Sequence, residues 1–251
     1  MFVQICAVSR SVLSRARKCS HAAPLLTVSL TVFEIHAPLF CFAGNSAPSF
    51  IQTFTLLHST FTVQIATPGG RPLEFVNQDD QSRRWLNDFR MKVFAIPIGL
   101  HTVDPNRYSC LILPHSPGAV HDLCENKDLC QILRHFIQEK KPICAIGMGV
   151  AGLFSAMEDS DVWSFRRCTL TAVSVFELAR SPDFANLPVI PEDVIKDRGA
   201  LYSSSDPDEV HVVVDRHLVT GQNEQSTLTA VQNLVLLCNQ KQAATRKERH
   251  Q

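Results

Sequence analysis

Apolar residues arrive along this chain in short runs separated by helical periodicities. Phe61–Ala66 (FTVQIA) is β-branched and apolar and stops at Thr67-Pro68-Gly69-Gly70. Ser109–Pro114 (SCLILP), Lys141–Gly147 (KPICAIG) and Val210–Asp215 (VHVVVD) repeat the theme, the first ended by proline and the second by glycine. Runs of this length predict strands buried on both faces. Between them, Asp128–Lys140 places Leu129, Ile132, Leu133, Phe136 and Ile137 on one helical face. Ser226–Cys238 does the same with Leu228, Val231, Leu234, Val235 and Cys238, and Ser46–His58 is apolar enough to form a further helix. Strands alternating with helices predict an α/β fold, a mostly parallel sheet covered by helices on both faces. Such sheets bind ligands beyond the carboxyl ends of their strands.

The two ends depart from this pattern. Residues 1–33 contain no Asp or Glu but carry Arg10, Arg15, Arg17 and Lys18, followed by an apolar run from Pro24 to Phe33. Three readings stand side by side: a mitochondrial presequence, a signal peptide with a late apolar region, or a poorly ordered extension without a targeting role. Glu34 and His36 interrupt the apolar run, which argues against a membrane span. The domain division expected is therefore a divergent extension over 1–45, a globular domain over 46–240 and a polar tail over 241–251 that reads as a solvated, frayed end.

Composition sharpens this only in two respects. Lys and Arg number 24 and so do Asp and Glu, so net charge gives no reason to expect direct binding of nucleic acid. The nine cysteines are odd in number and show no C-x-x-C spacing, which fits reduced thiols packed as small hydrophobes in a cytoplasmic protein.

Candidate chemistry concentrates where the Cys144-Ala145-Ile146 strand turns into Gly147-Met148-Gly149-Val150-Ala151-Gly152-Leu153. This is the pattern of a nucleophile elbow, a strained strand-to-helix turn that aims one side chain from a helix N-terminus. Cysteine there would ionise readily; this chain has glycine. Cys144 lies three residues earlier, inside the strand, and reads as a core thiol. His115, Ser116 and Gly118 belong to a loop expected beside the elbow. His211, Asp215 and His217 lack the spacing of a metal site, and Thr220-Gly221-Gln222-Asn223 reads as a turn and helix entry with Asn223 capping. Trp85, Phe89 and Phe94 read as core packing, with an exposed or dimer-facing patch as the other option. There is no phosphate-binding glycine loop, and no cofactor or metal is expected.

Four stretches carry a resemblance: Ala66-Thr67-Pro68-Gly69-Gly70, the loop from Leu113 to Ala119 (LPHSPGA), the elbow from Lys141 to Leu153, and Val212–Asn223 (VVVDRHLVTGQN). Over roughly Ser46 to Lys241 the chain resembles the PfpI-like, class I glutamine amidotransferase-like superfamily, which includes the parkinsonism-associated deglycase. The resemblance implies a flavodoxin-like three-layer sandwich. Active members carry Ala-x-Cys-His-Gly at the elbow, where this chain reads Ala145-Ile146-Gly147-Met148-Gly149. They also carry a glutamate soon after the first strand, whereas no Asp or Glu lies here between Glu34 and Glu74. The first strand and its acidic loop are replaced by Leu39–Asn45.

Nucleophile, base and acid positions are thus all lost, and the expected function is that of a non-catalytic scaffold or interaction subunit. The resemblance further implies membership of an early-endosomal Rab-effector assembly that links messenger RNA to endosomes (the FERRY complex). It implies a homodimer, RNA contact only through other subunits, no membrane insertion, and a cytoplasmic location associated with early endosomes. The alternative is a residual glyoxalase-, deglycase- or peptidase-like hydrolase using Cys144 or Cys168.

Overall fold

A computed structural model describes residues 2–7, 26–32 and 44–248, with side chains over 44–244. Its strands, in chain order, are β1 (Phe2–Ala7), β2 (Leu26–Val32), β3 (Asn45–Ser46), β4 (Phe61–Thr67), β5 (Phe75–Val76), β6 (Ile98–Gly99), β7 (Cys110–Leu113), β8 (Ile143–Ile146), β9 (Thr169–Leu170), β10 (Leu201–Tyr202), β11 (Val212–Asp215) and β12 (Leu218–Gly221). Eight of them form one sheet in the order β11-β12-β8-β7-β1-β2-β4-β6. Pairing is parallel from β7 through β8 to β12, with Leu113 opposite Ala145 and Ile146 opposite Gly221. It is also parallel from β2 through β4 to β6. β1 runs antiparallel to both β2 and β7, and β11 closes one edge antiparallel to β12.

The helices are α1 (Ala47–His58), α2 (Asp80–Arg90), α3 (Ala119–Asp122), α4 (Lys127–Gln138), α5 (Val175–Leu178), α6 (Pro191–Asp197) and α7 (Thr227–Glu248). Side chains alternate across a strand, so each inner strand feeds two cores. Leu111, Leu113, Ile143, Ala145 and Leu218 pack with α3 and α4 on one face. Cys110, Ile112, Cys144, Ile146 and Val219 pack with α1, α2 and α7 on the other. Together these make the expected three layers. The cores are anchored by fully buried rings, Phe50 and Phe61 on the second face and Phe136, Phe154 and Phe165 on the first; each stabilises the fold by about 1.5–3 kcal/mol relative to exposure.

Local chemistry sets the ends of the helices. Ser46 caps α1 by accepting from the Ser49 N–H at 3.2 Å, and a proline occupies the first turn. Asn126 caps α4 by accepting from the Leu129 N–H at 2.9 Å. α7 runs on through the polar tail to Glu248, since Lys, Gln, Ala, Arg and Glu are strong helix formers.

Two features differ from the sequence expectations. The Val210–Asp215 run forms an edge strand rather than one buried on both faces, and Val214 is exposed. The expectation of a poorly ordered extension over 1–45 meets two strands in the sheet, β1 and β2. In β2 the sequence alternates strictly, with Leu26, Val28, Leu30 and Val32 between Thr27, Ser29 and Thr31, the period of a strand. The Arg10–Lys18 cluster, on which the targeting readings rest, lies outside the described residues, as does Leu39–Ala43.

Candidate functional site: the elbow after β8

β8 delivers the chain to the carboxyl edge of the sheet, where Gly147 turns it at φ +55° into a 3-10 helix over Gly147–Ser155. Residues with a Cβ rarely adopt this conformation. The elbow geometry is therefore present, with no side chain at its apex. Space there is taken as well. A Cβ built on Gly147 would overlap the Nδ1 atom of His115 and approach its Cγ at 3.0 Å. The imidazole occupies the volume that an elbow nucleophile would need. Gly149 is constrained by a different neighbour, because a Cβ there would lie 2.6 Å from the Leu113 carbonyl oxygen.

His115 is held from three directions. It follows β7, and its N–H donates to Ser49 Oγ at 3.2 Å. Its carbonyl accepts from the Ser46 N–H at 3.1 Å. Its Nδ1 accepts from the Met148 N–H at 3.2 Å, which leaves the proton of the neutral ring on Nε2. Burial pushes the imidazole below its ordinary range, while the carboxylates of Glu224 and Glu177 pull the other way. Met148 is buried against the first core. It offers only a thioether, a weak acceptor, beside the apex.

Around the elbow three segments converge. Ser116 Oγ donates to Asn45 Oδ1 at 3.0 Å, and the Gly118 N–H donates to the Gly44 carbonyl at 3.3 Å. Ser46 Oγ donates to the Glu224 carboxylate, and Ser49 Oγ lies 2.9 Å from Thr227 Oγ1. His115, Ser116, Gly118, Gly147, Met148 and Gly149 are thus gathered at one place. Asn45, Ser46, Ser49, Glu177 and Glu224 are additions that no local pattern marks. Glu224, 109 positions further along the chain, supplies a carboxylate whose charge acts on His115.

The other candidates lie apart from this centre. Cys144 is fully buried, and desolvation pushes its thiol well up. Burial also pushes Cys168 up, although Arg216 Nη2 sits 3.1 Å from its sulfur. His211 pairs with the hydroxyls of Ser203 and Ser205 at 3.0 and 2.9 Å. Asp215 pairs with Arg216 and accepts from the Thr169 N–H. Among the described residues, no group of three or more His, Cys, Asp or Glu side chains is placed to hold a metal ion. Asn223 accepts from the Ser226 N–H at 3.0 Å, the capping its motif predicted. Phe89 is buried and stacks on Trp85 at 5.3 Å, while Trp85 and Phe94 form the rim of that cluster.

No protein-family model matches the chain. Curated vertebrate proteins do, under the name glutamine amidotransferase-like class 1 domain-containing protein 1. The Xenopus laevis protein is 52% identical over 196 residues, spanning 78% of this chain and 86% of its own. The Homo sapiens protein is 51% identical over 195 residues, spanning 78% and 89%. The chain belongs to this family. Among solved structures, glyoxalase III from Candida albicans superposes with a TM-score of 0.71 at 17% identity, covering 82% of this chain and 95% of that one. Drosophila melanogaster DJ-1beta gives 0.51 at 19% identity, covering 83% and 90%. At these identities the likeness shows the fold, the flavodoxin-like sandwich of the DJ-1/ThiJ/PfpI proteins. Within the glutamine amidotransferase-like class 1 domain-containing protein 1 family, what the elbow of this chain does is set by the residues around Gly147.

Proposed function

We propose that this chain is a non-catalytic member of its family and acts as an interaction subunit. One observation carries the reading: His115 fills the nucleophile's space beside Gly147 and engages the Met148 N–H. Covalent catalysis requires an activated nucleophile with a base in reach, and it gains from backbone donors left open to a developing oxyanion. Here the apex has no side chain and its neighbouring donor is satisfied internally. The residual-hydrolase alternative has little support, because Cys144 and Cys168 are buried thiols held in the protonated form.

The assembly proposed is the one the resemblance implies, an early-endosomal Rab effector linking messenger RNA to endosomes, in which this subunit is a homodimer. The even balance of 24 bases and 24 acids supports leaving RNA contact to other subunits. No helix among the described residues is long and apolar enough to cross a membrane.

The test is direct. The purified chain is assayed with methylglyoxal and with a chromogenic ester, alongside Cys144→Ser and Cys168→Ser variants. Turnover at the buffer background is expected for all three proteins. Saturable wild-type turnover that disappears in either variant would restore the enzyme.

A further inference from the structure

Exposed large hydrophobic side chains are spread over the described residues, Val210 and Val214 making a loose pair, and are densest in the stretch after α2. Met91, Val93 and Ile96 are 84%, 86% and 67% exposed and lie within six positions of one another. Single exposed apolar residues are ordinary, whereas a cluster of them marks a contact surface. The local backbone explains how they are displayed. α2 ends at Arg90, and a 3-10 turn follows over Val93–Ala95, closed by the Ile96 N–H donating to the Val93 carbonyl at 3.3 Å. Side chains three apart eclipse in a 3-10 turn, so Val93 and Ile96 share one side. Phe94, between them, turns inward and stacks on Phe54 at 5.4 Å. Phe94 anchors the turn in a cluster with Phe54, Phe89 and His58.

Charge around this surface selects its occupant. Over 84–96 the chain carries Arg84, Arg90 and Lys92 against a single acid, Asp88, all exposed, in a molecule that is neutral as a whole. The nearby Arg83 is already paired with Asp80 at 3.3 Å. We propose that Met91, Val93 and Ile96 form a docking surface for an acidic segment of a partner protein, with apolar anchors seated on them and carboxylates facing Arg84, Arg90 and Lys92. This rests on the interaction-subunit reading and names the face it uses. A second copy is a poor occupant, since a two-fold contact sets this patch against itself, cation rim against cation rim. An anionic membrane is also disfavoured. Three basic side chains give about 1 kcal/mol each at such a surface, and the aromatic rings here are packed inward rather than projecting.

The experiment uses the full chain and a fluorescein-labelled helical peptide with leucine at i, i+3 and i+4 and glutamate elsewhere. Its lysine counterpart and phosphatidylserine vesicles serve as the other arms. Fluorescence anisotropy is expected to show saturable binding of the glutamate peptide alone, weakened by salt. Val93→Asp and Lys92→Glu, both at exposed positions and expected to leave the thermal midpoint unchanged, are each expected to weaken it about tenfold, a loss that only a minority of interface residues show. Equal binding of both peptides, indifference to both substitutions, or binding to vesicles in place of the peptide would overturn the proposal. A dimer converted to monomer by Val93→Asp would do the same. None of these outcomes bears on turnover, so a failure of this surface is told apart from a failure of the non-catalytic reading.

Discussion

Gly147 and His115 compete for a single volume, and that competition is measurable. A cysteine at 147 would place a Cβ on the Nδ1 atom of His115 and hold a side-chain-bearing residue at φ +55°. The backbone part alone costs on the order of 1–3 kcal/mol. Gly147→Cys is therefore expected to fold with reduced stability and little catalysis. Adding His115→Ala removes the ring and should restore the steric part while the backbone part remains. Chemical denaturation of the four proteins in this cycle should give a coupling of about 1 kcal/mol or more; strictly additive losses would show that ring and Cβ do not compete. The elbow itself was legible, because a buried strand running into glycine is a local pattern. The occupant was not, since His115 precedes Met148 by 33 positions and only the pairing of β7 with β8 brings them together.

Short elements behave in the same way. α5 has four residues, too few to persist on helix propensity. It is held by Glu177. One carboxylate oxygen accepts from the Ser174 N–H and hydroxyl and from Gln222 Nε2. The other accepts from Asn223 Nδ2 at 2.8 Å and from the Asp208 N–H. Five donors thus tie α5, the turn after β12 and the 206–209 loop to one side chain. Glu177→Ala takes one charged acceptor from each of the buried amides of Gln222 and Asn223, which keep only backbone carbonyls, and bonds to charged groups contribute about 1.5–3 kcal/mol each. Urea denaturation should show a loss of about 2–4 kcal/mol; a loss below about 1 kcal/mol would show the network to be redundant. The Thr220–Asn223 motif could be read in the sequence, but the residue that organises it lies 46 positions before Asn223. β4, β7 and β8 were legible as apolar runs. β11 gives a similar run at an edge, and β2 was obscured because an acid-free, basic segment also fits a targeting peptide.

Taken as a whole, the molecule has no net charge to oppose self-association, and two-fold dimers are the commonest closed assembly. Light scattering at micromolar concentration is expected to return twice the 28.0 kDa chain mass; a monomer would remove the homodimer from the proposal. Val93→Asp should leave that mass unchanged, since the patch it alters is assigned to another partner. The sheet also has a bearing on how the sequence can change over time. Its strands wall off one interior from the other. Leu111 and Leu113 belong to the first and Cys110 and Ile112 to the second, one residue apart yet in separate compartments. Substitutions that alter volume must be absorbed on the side where they fall. The compartment under Gly147, containing Met148, Val150 and Leu153, inherits the duty of keeping the turn in shape. The opposite one, with Cys110, Cys144 and Cys238, bears on the turn by another route, through Ile146 and through α1, whose first residues hold His115.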